Sequence, residues 1–101
     1  MKIVRDLVAA RIPPEALTTA ADAELPALLA AKIHEEVDEI VASSFADVVE
    51  FADALEALQA LAAASGHDWG AVERTRLAKA STHGGFSGRH IYHPERDSTR
   101  P

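Results

Sequence analysis

Between Lys32 and Arg74 the chain has no Lys or Arg, yet half of its 16 acidic residues fall between Glu35 and Glu56. The same stretch spaces its apolar residues for helix, and some of its acids fall inside the apolar stripe rather than opposite it. Any fold must therefore bring carboxylates against packed surface and find the balancing positive charge elsewhere. Nine of the ten bases lie outside, three before residue 12 and six from Arg74 onward.

The spacing predicts three main helices. The first runs from about Pro26 to Ala42, with Pro26 suited to a first turn. Leu29, Ile33, Val37 and Ile40 form its apolar stripe. Ser43 and Ser44 interrupt. Ser44 is read as the N-cap of a second helix from about Phe45 to Ala64, with Asp47 as capping-box partner. Val48, Phe51, Ala52, Leu55 and Leu58 form its bulky face. Ser65 and Gly66 end it, Gly66 being suited to a left-handed cap. Asp68 caps a third helix from Trp69 to about Ala80. Before these, Met1 to Arg11 reads as a short extended or helical start that Pro13 and Pro14 break.

A connection of about two residues makes the first two helices an antiparallel hairpin. A hairpin has too little core alone, so a third helix and a second subunit are expected to cover it. The expected fold is all-α: one domain over residues 1–94, pairing through its hairpins into four-helix bundles, with residues 95–101 as a disordered tail.

At about 100° per residue, Glu36 projects into the stripe of Ile33 and Ile40, with Glu39 one turn on. On the second helix Glu50 and Asp53 share a small-residue face with Ala46, Ala57, Ala60 and Ala64. Each helix thus carries carboxylates three residues apart, about 5–6 Å between Cβ atoms. Buried without neutralisation, such groups cost several kcal/mol each. Three arrangements meet the demand: a solvated face, ion pairs to Arg5 or Lys79, or a divalent cation. All-oxygen ligation suits Mg²⁺ or Mn²⁺ rather than Zn²⁺.

Other features narrow the classes. There is no cysteine, which excludes disulfides, thiolate zinc sites and cysteine nucleophiles. The net charge of −6 argues against broad nucleic-acid binding. No apolar run approaches the roughly 20 residues of a membrane span, and no signal-type segment follows Lys2, so a soluble cytoplasmic protein without membrane contact is expected. His34, His83, His90 and His93 read as surface residues. Trp69 reads as an anchor of the third helix.

The run Glu35-Glu36-x-x-Glu39 followed by Glu50-x-x-Asp53 resembles the signature of the MazG-type all-α nucleoside-triphosphate pyrophosphohydrolases. The opening Lys2-Ile3-Val4-Arg5-Asp6 and the segment Lys79 to Arg89, with Gly84-Gly85-Phe86, resemble the two ends of the branch related to phosphoribosyl-ATP pyrophosphohydrolase. The likeness covers residues 2 to 91. It departs where Leu7 to Ala10 intervene before Arg11-Ile12-Pro13, and in a short linker between the acidic motifs. The resemblance implies Mg²⁺-dependent hydrolysis of a nucleoside triphosphate to the monophosphate and pyrophosphate, in a house-cleaning role. By motif position it implies Glu36, Glu39, Glu50 and Asp53 as metal ligands and Glu35 as the group that orients or deprotonates water. It also implies a homodimer or homotetramer. Arg5, Lys32, Lys79 and Arg89 are the candidate phosphate contacts, since a triphosphate needs cations beyond the metal. Hydrolysis of phosphoribosyl-ATP in histidine synthesis, or a catalytically silent helical oligomerisation module, are the competing readings.

Overall fold

The computed structural model describes residues 1–100, and among them it is helical with no strand. Pro101, the last residue of the expected tail, lies outside the described residues. Residues 1–5 are extended and lead into one helical turn, α1 (Asp6–Ala9). Pro13 and Pro14 then stop it, and Pro14–Ala16 forms a 3-10 turn. The two long helices follow as α2 (Leu25–Ala42) and α3 (Val48–Ala64), and then α4 (Trp69–His83). A second 3-10 turn spans Pro94–Arg96, where the Tyr92 hydroxyl donates to Asp97 at 2.8 Å.

Helices α2 and α3 pack against each other as the expected hairpin. Their connection is longer than two residues, and its cap is not Ser44. Ser44 and Phe45 have φ of 54° and 64°, which is left-handed backbone that cannot open a helix. They instead close α2. The Phe45 N–H donates to the Ile40 carbonyl at 3.0 Å and the Ser44 N–H to Val41 at 2.9 Å. That is the Schellman pattern, built here without glycine. Asp47 then caps α3, accepting from the Val49 N–H at 3.0 Å. At the other end of α3 the same pattern recurs with the expected glycine. Gly66 has φ of 84°, and His67 donates to the Ala62 carbonyl at 2.8 Å. Asp68 caps α4 as expected, accepting from Ala71 at 3.2 Å.

The face of α3 that packs is the small-residue one, with Ala57 buried beside Leu29 and Glu36. The bulky face is left open: Phe51, Leu55 and Leu58 are each about half exposed, Leu55 at 50%. Alanine lets two helix backbones approach closely, so the narrow face is a workable seam. Nor does α4 cover the hairpin. It touches α3 near its own start, and from Arg74 to His83 every residue is exposed.

The chain is accordingly open. Its radius of gyration is 18.1 Å and its longest extent 60 Å, against about 13 Å for a compact chain of this length. Its accessible surface is 8442 Å², whereas a compact monomer of this mass exposes about 5,500 Å².

The two helix ends make a matched pair for testing. Ser44→Gly should raise stability by up to about 1 kcal/mol, because the left-handed penalty of an L-residue disappears. Gly66→Ala should lower it by about 1 kcal/mol; nothing lies within 4 Å of an added Cβ, so the loss is conformational. Denaturant midpoints of the two variants check both signs.

Candidate metal centre

One carboxylate oxygen from each of Glu36, Glu39 and Glu50 lies within 4.8 Å of the others. Two helices supply them. Glu36 and Glu39 sit one turn apart near the end of α2, and Glu50 sits in the first turn of α3. The five-residue connection brings these ends to one height.

Glu36 anchors the group. It is only 4% exposed, the single buried polar residue of the described chain. Its Oε1 lies 3.4 Å from Lys32 Nζ, one turn back on α2. Its Oε2 is buried with no hydrogen-bond partner, and so is Oε2 of Glu50. Native proteins rarely leave such atoms unmet. Three converging carboxylates facing one lysine leave a net negative, oxygen-only pocket. That donor set and its two bare buried oxygens fit a hard divalent cation such as Mg²⁺ or Mn²⁺.

The electrostatics agree. Burial pushes the Glu36 carboxyl up; the Lys32 hydrogen bond opposes this and the neighbouring Glu39 adds to it. Glu39 is pushed up chiefly by its hydrogen-bonding neighbour Glu50, then by partial burial. Like charges held together share protons more readily than they ionise together.

Asp53, the fourth expected ligand, does not join the three. It accepts a hydrogen bond from Arg5 Nη2 at 2.8 Å. The ion-pair arrangement is therefore realised at Asp53, while the other three acids converge. Glu35 lies beside the group, 3.5 Å from Lys2 Nζ and 3.6 Å from Lys32 Nζ. The extended opening segment thus crosses the acidic side of the hairpin with two cationic contacts. Beneath it lies a cavity of about 450 Å³ floored by Leu29, Ala57 and Ala60 and rimmed by Arg5, Lys32 and Asp53.

Of the expected phosphate contacts, the structure places Arg5 and Lys32 at the site. Lys79 and Arg89 are elsewhere: α4 leaves α3 at the end opposite Glu50, and neither base pairs with a carboxylate among the described residues. His83, His90 and His93 form no metal-capable group among those residues, and His34 is exposed on α2. Lys2 is a contact that sequence reasoning missed. Its place in the Lys2-Ile3-Val4-Arg5 run, three residues from Arg5, is the signal that could have found it.

The shifts fix a sign. Glu36 and Glu39 hold protons more tightly folded than their ordinary value of 4.5. Without metal, stability should be unpenalised below that value and fall as pH rises through the raised range. Glu73, lowered by Arg76, and Asp97, lowered by Thr99 and Tyr92, act only below the ordinary range. A divalent cation at about a hundred times its Kd should restore about 2.7 kcal/mol near neutrality and much less near pH 4, where protons compete. Thermal melts across pH with and without Mg²⁺ or Mn²⁺ read this, and Glu36→Gln should flatten both responses.

No family model, no curated protein and no solved structure matches this chain, so its function is argued from the chemistry of these carboxylates and the bases around them.

Proposed function

We propose that this chain is a Mg²⁺-dependent nucleotide pyrophosphohydrolase of the MazG-like kind, with Mn²⁺ able to substitute. The observation that carries the reading is the buried Glu36 carboxylate, one oxygen bare, converging with Glu39 and Glu50. A helical scaffold gains nothing from holding three carboxylates together at the cost of their repulsion. Glu36, Glu39 and Glu50 hold the cation in this reading. When bound, the cation supplies charge neutralisation for the phosphates and acidifies an attacking water.

The other side chains then have distinct tasks. Glu35 is close to the three ligands yet outside their group, and serves as the base that takes the water proton. Lys2 and Lys32 hold its carboxylate from two sides, at 3.5 and 3.6 Å from Oε1. The water oxygen forms a new bond to phosphorus, and the bond between the α- and β-phosphates breaks. The products are the nucleoside monophosphate and pyrophosphate. Arg5 and Lys32 face the phosphates, Arg in a forked contact and Lys as a point charge. Asp53 orients the Arg5 guanidinium from behind. The cavity under the opening segment, apolar at its floor and with Arg5 and Lys32 among the acids of its rim, is of a size to take a nucleoside.

A homodimer or homotetramer belongs to the same proposal. Phe51, Leu55 and Leu58 form the surface that pairing hairpins would bury into a four-helix bundle.

The test is product analysis over a panel of nucleoside triphosphates with Mg²⁺, joined to metal titration by calorimetry. Pyrophosphate release from at least one nucleotide is expected, and neither release nor metal binding would sink the reading. Glu36→Gln should lose both metal and turnover. Glu35→Gln should keep metal and lose about a hundred- to ten-thousand-fold in kcat. Asp53→Asn should also keep metal, with KM raised about tenfold by a misplaced Arg5. Loss of metal affinity in Asp53→Asn equal to that in Glu36→Gln would return Asp53 to the ligand set.

A further inference from the structure

Residues 74–100 carry six bases, Arg74, Arg76, Lys79, Arg89, Arg96 and Arg100, and only two acids. Among the described residues, Arg76 alone of these bases has a carboxylate partner, Glu73 of its own helix. The hairpin opposite in charge lies in the same chain, yet the two do not meet. From Glu50 to Ala64 helix α3 rises about 21 Å, and α4 departs from the far end without folding back along it.

The same region exposes apolar side chains with nothing beneath them. Phe86 is 98% exposed, and Leu77, Ile91 and Tyr92 are more than half exposed. The turn end of the hairpin shows the complementary surface. Phe45, Val48 and Val49 are exposed there, next to Glu39 and Glu50. The chain's surface exceeds that of a compact monomer by about 2,900 Å²; over two copies that is about 5,800 Å², enough for the interface of an obligate homodimer.

We propose that the segment Lys79–Arg89 docks on the hairpin turn of a second copy of this chain. Phe86 seats against Phe45 and Val48 of that copy, and Lys79 and Arg89 come to its acids. The carboxylate group is then a shared site, with its ligands from one protomer and part of its positive charge from the other. The role of these two bases toward phosphate rests on the function proposed above. The docking itself rests on surface and charge alone.

Ser87 is exposed and the chain has no cysteine, so Ser87→Cys offers a unique position for a nitroxide label. Isotope-labelled wild-type chain is mixed with unlabelled, nitroxide-bearing Ser87→Cys chain, and amide signals are followed by NMR. Paramagnetic broadening across Ala46 to Asp53 of the isotope-labelled chain is expected. It should vanish when the nitroxide chain also carries Lys79→Glu and Arg89→Glu. A protein that stays monomeric, or one that dimerises with no broadening at the turn, overturns the proposal. So does a segment folded back on its own hairpin, which gives broadening only when both labels are on one molecule. Broadening at the turn in a protein that hydrolyses no nucleotide would leave the docking standing and remove the functional reading.

Discussion

The rest of the structure is arranged around a carboxylate buried in a seam between two helices. Glu36 sits where α2 meets α3, and an ionised group there is tolerated only if charge of the opposite sign comes to it. Lys32 meets one of its oxygens from the previous turn. The other oxygen faces Glu39 and Glu50, which add repulsion. The hairpin is thus built at a local cost, and that cost is concentrated at one end, beside the turn. Leu29 and Ala57, the only buried apolar residues among those described, lie farther along the same seam. Packing holds the hairpin at one place and leaves its electrostatic demand open at another.

Much of this was legible. The helical periods placed three long helices to within a few residues, and Asp68 and Gly66 did the capping their chemistry suggests. Spacing singles out Glu36, Glu39, Glu50 and Asp53 as one candidate group, of which the first three converge. The failures have physical causes. Ser44 looks like a helix opener because serine is a good N-cap. A serine at φ of 54° closing the previous helix leaves no compositional trace where glycine would have. The alanine face of α3 packs, as its small residues suggest, with Ala57 buried beside Glu36. The bulky face of Phe51, Leu55 and Leu58 stays half exposed, and periodicity alone does not say what meets it.

Asp53 shows the same limit at the site. Its spacing from Glu50 repeats that of Glu36 and Glu39, so sequence treats the four acids alike. What separates Asp53 is Arg5, 48 residues away in the chain. A charge-assisted pair at 2.8 Å gives Asp53 a cationic partner, whereas among the described residues no base reaches the bare oxygens of Glu36 and Glu50. Two acids of equal motif standing thus acquire different chemistry: one already neutralised and able to aim a guanidinium, the others still short of charge.

The openness of the chain bears on that shortage. A helix such as α4, exposed on all sides beyond its first turn and mixed in polarity, has little reason to persist alone. The exposed bulky face of α3 poses the same question to the hairpin. Both demands are apolar, and both are met by surface rather than by an ion. The demand at Glu36 is electrostatic, and surface cannot meet it. If the basic segment beyond α4 answers the two together, assembly and charge neutralisation become one event, because the residues that cover apolar surface at the turn also bring cations to it. Stability would then depend on protomer concentration. The acidic end of the hairpin would reach its full set of charges only when the chain is paired. On that proposal the uneven charge distribution would have a use, with the acids held in one hairpin and the bases carried on a segment that reaches another copy.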